Sequence, residues 1–141
     1  MYSLQAEASF DAAHFLKDHP GACRNLHGHR WRVVAEITAA ELQTAGPGRD
    51  MLQDFAELKA SLKELAAAYD HKFIFEEGSL RPQTLAALQA EGFALAEVSF
   101  RPTAERLAHW FYQQLRSKGL CTSRVLVYET PENCAAYFEI K

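Results

Sequence analysis

The stretch YSLQAEASF, residues 2–10, alternates apolar and polar side chains. A period of two is typical of a β-strand with one buried face. A second alternating segment begins near His27 and ends at AGPGRD, residues 45–50, which contains two glycines and a proline. We expect these two strands to pair antiparallel, with the first running towards His14. This pair decides how the rest of the chain packs.

Two long segments have helical periodicity instead. Asp54 and Glu57 resemble a capping box, and apolar residues then recur at helical spacing as far as Asp70. A second helix is predicted within RPTAERLAHWFYQQLRSKG, residues 101–119, with Thr103 as candidate N-cap and an end at Gly119. The segment RPQTLAALQAEG, residues 81–92, predicts a shorter helix that we interpret as a peripheral insertion.

Three further segments favour strands: Phe93–Phe100, RVLVYET (124–130) and AAYFEI (135–140). The last two read as a hairpin, because the turn-forming PEN separates them. The sequence therefore predicts an α+β fold in which two long helices cover one face of an antiparallel sheet. We expect one domain spanning residues 1–141, and exposed sheet edges of this kind favour an oligomer that covers them.

Composition excludes some classes of partner. The 141 residues carry a formal net charge of −3, so the basic excess that binds nucleic acid or anionic membranes is missing. No stretch approaches the length of a membrane span, and the first residues do not resemble a secretion signal. We therefore expect a cytoplasmic protein without nucleic-acid or membrane partners.

The histidines are the most informative reactive residues. His27 and His29 flank Gly28 on the predicted second strand, so their imidazoles point to the same side. His14 would lie beside them if the first two strands pair. Three neutral imidazoles suit Zn²⁺ and leave its fourth position open, as in a catalytic site. Cys23 is then a base or nucleophile activated by the cation, a fourth ligand, or an inert thiol.

Six motifs in order resemble one known family over nearly the whole chain. They are FDAAHF, C-x3-HGHRW, MLQDFAELK, YDHKF, RPTAERLA and VYETPENCA. The resemblance is to the 6-pyruvoyl-tetrahydropterin synthase / 6-carboxy-5,6,7,8-tetrahydropterin synthase family. Three residues between the cysteine and HGH resemble the 6-carboxy branch, which belongs to queuosine (7-deazaguanine) biosynthesis. Arg106 departs from the asparagine usual at its position.

The resemblance implies a role for each matching residue. His14, His27 and His29 would hold zinc, and Cys23 would accept a proton. Asp70 and His71 would form a proton relay, a pairing that requires a helix-end or loop conformation. The pterin pocket would contain Glu129 and, on weaker grounds, Glu105.

The resemblance also implies a fold, a reaction and an assembly. The fold would be the tunnelling fold (T-fold), in which the sheets of several subunits join into a barrel. The expected reaction converts 7,8-dihydroneopterin triphosphate to 6-carboxy-5,6,7,8-tetrahydropterin, acetaldehyde and triphosphate. Two alternatives stay open: a 6-pyruvoyl synthase that releases triphosphate only, and a non-catalytic protein with structural zinc. The expected assembly is a homo-oligomer, a trimer or hexamer with active sites between subunits.

Overall fold

The computed structural model describes residues 1–140, which form six β-strands and three α-helices. The strands are β1 (Tyr2–His14), β2 (His27–Ala39), β3 (Lys72–Glu76), β4 (Leu95–Val98), β5 (Thr122–Thr130) and β6 (Asn133–Phe138). The helices are α1 (Phe55–Ala67), α2 (Pro82–Ala90) and α3 (Ala104–Ser117). One turn of 3₁₀-helix, Ala22–Arg24, precedes β2.

All strands belong to one sheet in the order β4-β3-β1-β2-β5-β6. β1 and β2 pair antiparallel without a register shift, from Tyr2 opposite Ala39 to His14 opposite His27. The predicted strand pair is confirmed. The pairing is continuous because both strands keep the two-residue alternation that places one set of side chains in the core.

The sheet is mixed rather than purely antiparallel, so that part of the predicted fold was wrong. β3, which the sequence analysis did not predict, pairs parallel with the end of β1, and β4 pairs parallel with β3. Parallel neighbours need a crossover connection. The chain passes from β1 to its parallel neighbour β3 through β2 and α1, and from β3 to β4 through α2.

The core lies between the sheet and the two long helices. Phe10 of β1 and Trp31 of β2 are fully buried and stack with ring centroids 6.0 Å apart. The Phe10 ring also contacts Phe111 of α3 and Tyr69, which lies just after α1. By contrast, α2 buries none of its residues, which confirms its peripheral position.

The opposite face of β1 and β2 is polar. Arg32 forms an ion pair with Glu7 at 3.1 Å, and Arg30 forms one with Asp11 at 2.9 Å. These alternate with the core-facing residues, so each strand has one apolar and one charged face. β4 and β6 form the two edges of the sheet. Within residues 1–140, none of the helices combines the length and apolarity needed to cross a bilayer.

Candidate metal centre and catalytic groups

Three histidines meet where β1 ends and β2 begins. The register places His14 opposite His27 and Ala12 opposite His29. The imidazole centroids are 4.6 Å apart for His14 and His27, 5.2 Å for His14 and His29, and 4.8 Å for His27 and His29. One nitrogen from each ring and a carboxylate oxygen of Glu129 all lie within 4.8 Å of one another. We call the three histidines the three-histidine cluster, and Glu129 lies beside it.

Backbone carbonyls fix two of the rings. His14 Nδ1 lies 2.8 Å from the carbonyl oxygen of Pro102, and His27 Nδ1 lies 2.6 Å from that of Asn25. A carbonyl oxygen only accepts hydrogen bonds, so in each ring Nδ1 carries the proton and Nε2 keeps its lone pair. This is the arrangement that orients histidine for metal binding.

The two free nitrogens face each other. His14 Nε2 and His27 Nε2 are 3.1 Å apart, and two lone pairs at that distance repel unless a cation lies between them. Tetrahedral zinc with Zn–N bonds of about 2.0–2.1 Å separates neighbouring nitrogens by roughly 3.3 Å. The observed spacing therefore fits a shared metal ion.

The third ring also offers a nitrogen. His29 Nε2 is buried and has no hydrogen-bond partner among residues 1–140. Glu129 Oε1 is 3.2 Å from it, but the two groups do not meet in hydrogen-bonding geometry. A buried polar nitrogen left without a partner is costly. A metal ion coordinated by this nitrogen would remove the cost.

Burial disfavours the charged form of the His14 and His29 imidazoles and so lowers their pKa values. The His14 side chain is almost completely buried, and loss of hydration lowers its pKa to about 4; the Pro102 carbonyl opposes the shift, while His27 and His29 add to it. Burial also lowers the pKa of His29, against the opposing effect of Glu129. Neutral imidazole is the form that binds metal.

Glu129 lies beside the histidines on β5. Its side chain is 26% exposed, and together with His29 and Tyr128 it lines a cleft of about 470 Å³. The sequence predicts Glu129 in a substrate pocket, and the structure also places it beside the histidines. The pairing of β2 with β5, which places Tyr128 opposite Arg32, turns the next residue towards the face that carries His29.

Asp70 and His71 form a second group, in the turn between α1 and β3. His71 has a left-handed backbone (φ 56°), and its Nδ1 lies 3.1 Å from Asp70 Oδ2. The loop conformation predicted for this pair is confirmed. The imidazole is 79% exposed, so it is open to a ligand or a neighbouring molecule.

Asp11 holds this turn and was missed from sequence, although it lies in the FDAAHF motif. Its backbone N–H donates to Asp70 Oδ1 at 2.9 Å, and its carbonyl accepts from the His71 N–H at 2.7 Å. The N–H of Asp11 is the main cause of a lowered pKa for Asp70, with His71 contributing. Asp70 therefore stays ionised beside the imidazole.

A cleft of about 550 Å³ joins the two groups. Its lining includes His71, Asp11, Arg30, Gly28 and His29, so the start of β2, which carries two of the clustered histidines, borders the same space as His71. Gly28 lies between the metal-ligating candidates, and a Cβ there would stand 3.6 Å from the Ala12 carbonyl. Cationic and imidazole groups thus converge on this cleft.

Cys23 and Glu105 lie outside both groups. Cys23 is partly buried in the 3₁₀ turn before β2, and its sulfur is not among the clustered metal-ligating atoms. Glu105 is exposed in the first turn of α3. Their predicted roles, as proton acceptor and as pocket residue, stay predictions.

The fold and site define a class of protein. The chain is an α+β protein whose mixed sheet presents three histidines, each with a ring nitrogen available to a metal ion, beside a cleft. A sequence model of the family described as 6-pyruvoyl tetrahydropterin synthase matches residues 3–139. The chain belongs to this family.

One relative and two solved structures are also similar to this chain over nearly its whole length. The 6-carboxy-5,6,7,8-tetrahydropterin synthase of Haemophilus influenzae is 34% identical over 142 residues, which cover 99% of this chain and all of the relative. The crystal structure of an uncharacterised protein from Wolinella succinogenes is 24% identical, with a TM-score of 0.85 over 99% of this chain and 98% of that one. The Caenorhabditis elegans 6-pyruvoyl tetrahydropterin synthase is 21% identical, with a TM-score of 0.70 over 99% and 96%. The chain therefore has the T-fold.

Proposed function

We propose that the protein is a zinc-dependent 6-carboxy-5,6,7,8-tetrahydropterin synthase, a carbon–carbon lyase acting in the cytoplasm. It converts 7,8-dihydroneopterin triphosphate to 6-carboxy-5,6,7,8-tetrahydropterin, acetaldehyde and triphosphate in queuosine biosynthesis. The observation that carries the proposal is the convergence of three imidazoles, each with a nitrogen available to a metal ion. The name of the relative from Haemophilus influenzae supports the choice of product.

The metal ligands are His14, His27 and His29. Zinc bound there supplies Lewis acidity to side-chain oxygens of the substrate. The carbonyls of Pro102 and Asn25 hold two of the rings in the required tautomer. Three protein ligands would leave one coordination position for the substrate, and His29 and Glu129 both border a cleft of about 470 Å³.

Cys23 is the proposed proton acceptor. It lies four residues before His27, in a turn that leaves the thiol partly exposed. Its sulfur lies outside the cluster of metal-ligating atoms, which leaves it free for proton transfer. A cysteine accepts a proton as the thiolate, which nearby positive charge favours.

The Asp70–His71 pair relays protons. Asp70 holds the imidazole through Nδ1, which leaves Nε2 to face the substrate. Because the ring is 79% exposed in one chain, a second subunit can complete the site around it. This supports a homo-oligomer, a trimer or hexamer, with active sites between subunits.

Glu129 recognises the pterin. Its carboxylate lines the same cleft as His29, and a carboxylate can accept two parallel hydrogen bonds from an amino-pyrimidine edge. Glu105 is a secondary candidate for the same task. Its exposed position in the first turn of α3 equally suits a helix N-terminus, which favours negative charge.

Product identification tests the proposal. Purified protein is incubated with 7,8-dihydroneopterin triphosphate, and acetaldehyde, triphosphate and the pterin product are measured by mass spectrometry. We expect all three, with no turnover after zinc is removed and recovery when it is restored. Triphosphate without acetaldehyde would instead establish the 6-pyruvoyl synthase reaction.

A non-catalytic structural zinc protein is the alternative from another class. It requires Cys23 as fourth ligand, so Cys23→Ala would lower zinc content. The lyase predicts that Cys23→Ala retains zinc and loses most turnover, whereas Cys121→Ala, a change at an exposed thiol, affects neither.

A further inference from the structure

Arg101 makes a contact that the reaction proposed above does not explain. It lies between β4 and α3, immediately before Pro102, whose carbonyl orients the His14 ring. Its Nη2 donates a 2.8 Å hydrogen bond to the carbonyl oxygen of Lys17, 84 residues away. One dipeptide therefore contacts both a candidate metal ligand and the loop between β1 and β2.

That loop is the one that carries Cys23. The Leu16 N–H donates to the Cys23 carbonyl at 2.8 Å, so the start of the loop is fastened to the cysteine. The next residue, Lys17, is fastened to Arg101. Two hydrogen bonds thus connect the guanidinium to the backbone of the proposed proton acceptor.

A purely structural role does not account well for an arginine here. Its Nε is buried and has no hydrogen-bond partner among residues 1–140. An unpaired buried donor opposes folding, so an apolar side chain of similar length would pack at least as favourably. The single bond to Lys17 is the contact that needs the guanidinium.

We infer that Arg101 is a positioning residue that holds the residue 15–25 loop so that the Cys23 thiol stays at a fixed place relative to the three-histidine cluster. The inference rests on the proposed role of Cys23. The same dipeptide supplies the Pro102 carbonyl to His14, so metal ligand and proton acceptor are positioned by adjacent residues. Misplacement of a reacting group by even about 1 Å lowers turnover substantially.

The test compares Arg101→Met, which keeps the apolar stem and removes the donors, with Arg101→Lys, which keeps a donor and a charge. The control is Arg81→Met, at an exposed arginine whose side chain makes no capping hydrogen bond. In zinc-free protein, the rate of Cys23 alkylation by iodoacetamide is measured by peptide mass spectrometry. The exposed Cys121 and Cys134 serve as internal references.

We expect Arg101→Met to raise Cys23 alkylation relative to Cys121 at least about threefold and to speed deuterium exchange in residues 15–25. Zinc content should be retained, kcat should fall by about tenfold with little change in KM, and Arg101→Lys should restore part of both effects. Unchanged alkylation and exchange would overturn the inference, whatever the turnover. If they change but Cys23→Ala retains turnover, the loop is positioned as inferred and the proposed function of Cys23 fails instead. Should Arg101→Met not fold, unaltered alkylation and deuterium exchange in Arg101→Ala would overturn the inference equally.

Discussion

The three-histidine cluster and the Asp70–His71 pair contrast sharply although one cleft touches both. His14 is almost completely buried and its ring is held by the Pro102 carbonyl, in the connection between β4 and α3. His71 is 79% exposed on a turn with a left-handed backbone. The first group is built from paired strands, and the second from a connection between a helix and a strand.

The difference teaches which histidine suits which task. A buried imidazole stays neutral and fixed in orientation, as a metal ligand must be. A proton relay must exchange protons with a ligand, and exposure permits this. In the proposed function the same residue type serves two roles because its surroundings differ, and four experiments test that division.

The largest effect should follow removal of a cluster histidine. His27→Ala removes a ring held by the Asn25 carbonyl, so we expect zinc affinity to fall by more than about 100-fold and turnover to disappear. Zinc content by atomic emission and product formation measure both. His109→Ala, which removes a ring tilted against Tyr137 outside the cluster, should keep its zinc; equal zinc loss in the two variants would contradict the assignment.

A smaller effect should come from the exposed pair. His71→Ala should lower kcat by about 10²–10⁴-fold, the usual contribution of a general acid–base, while zinc content stays unchanged. Steady-state kinetics with metal analysis checks this. The contrast with the cluster fails if this variant loses zinc or keeps full turnover.

Acid should destabilise the zinc-free protein through His14. Its pKa is about 4 in the folded protein and about 6.5 when unfolded. Between these pH values the unfolded state therefore binds a proton that the folded state does not. The contribution of His14 to the free energy of unfolding is fully present above about pH 6.5 and decreases between pH 6.5 and 4. Below about pH 4 the free energy of unfolding is lower by on the order of 3 kcal/mol. Urea unfolding across this range measures it, and a His14→Gln variant with the same pH dependence would refute the explanation.

The smallest effect should follow Asp70→Asn. The amide still accepts from the Asp11 N–H, so the turn should keep its shape while the charge beside His71 is lost. We expect kcat to fall by about tenfold with no change in zinc content or melting temperature. A marked loss of stability would show that the carboxylate supports the fold rather than the relay.

Several features of the fold were predictable because they depend on local pattern. The alternation over residues 2–10 predicted β1, and the capping residues Asp54 and Thr103 were both found accepting from backbone N–H groups at their helix starts. The parallel strand β3 was not predicted. Five residues following a turn give little periodicity, and their pairing with β1 depends on the path of α1.

Some features of the candidate site were likewise predictable from sequence, and others were not. The H-x-H spacing and an upstream histidine indicated three converging rings, because alternation fixes the face on which each ring lies. The register that puts His14 opposite His27 was seen only in the structure. The contribution of Asp11 was not predictable, since it acts through its backbone rather than its carboxylate. The nearness of Glu129 to His29 needed the pairing of β2 with β5.

The sequence by itself determined the strand pair and therefore which faces carry the histidines, since side chains two residues apart point the same way. Only the tertiary structure decided what those rings meet. The carbonyl that fixes His14 comes from Pro102, 88 residues along the chain, and contacts over such separations depend on how helices and strands pack. Whether each imidazole is buried and neutral or exposed and free to exchange protons was settled at that level.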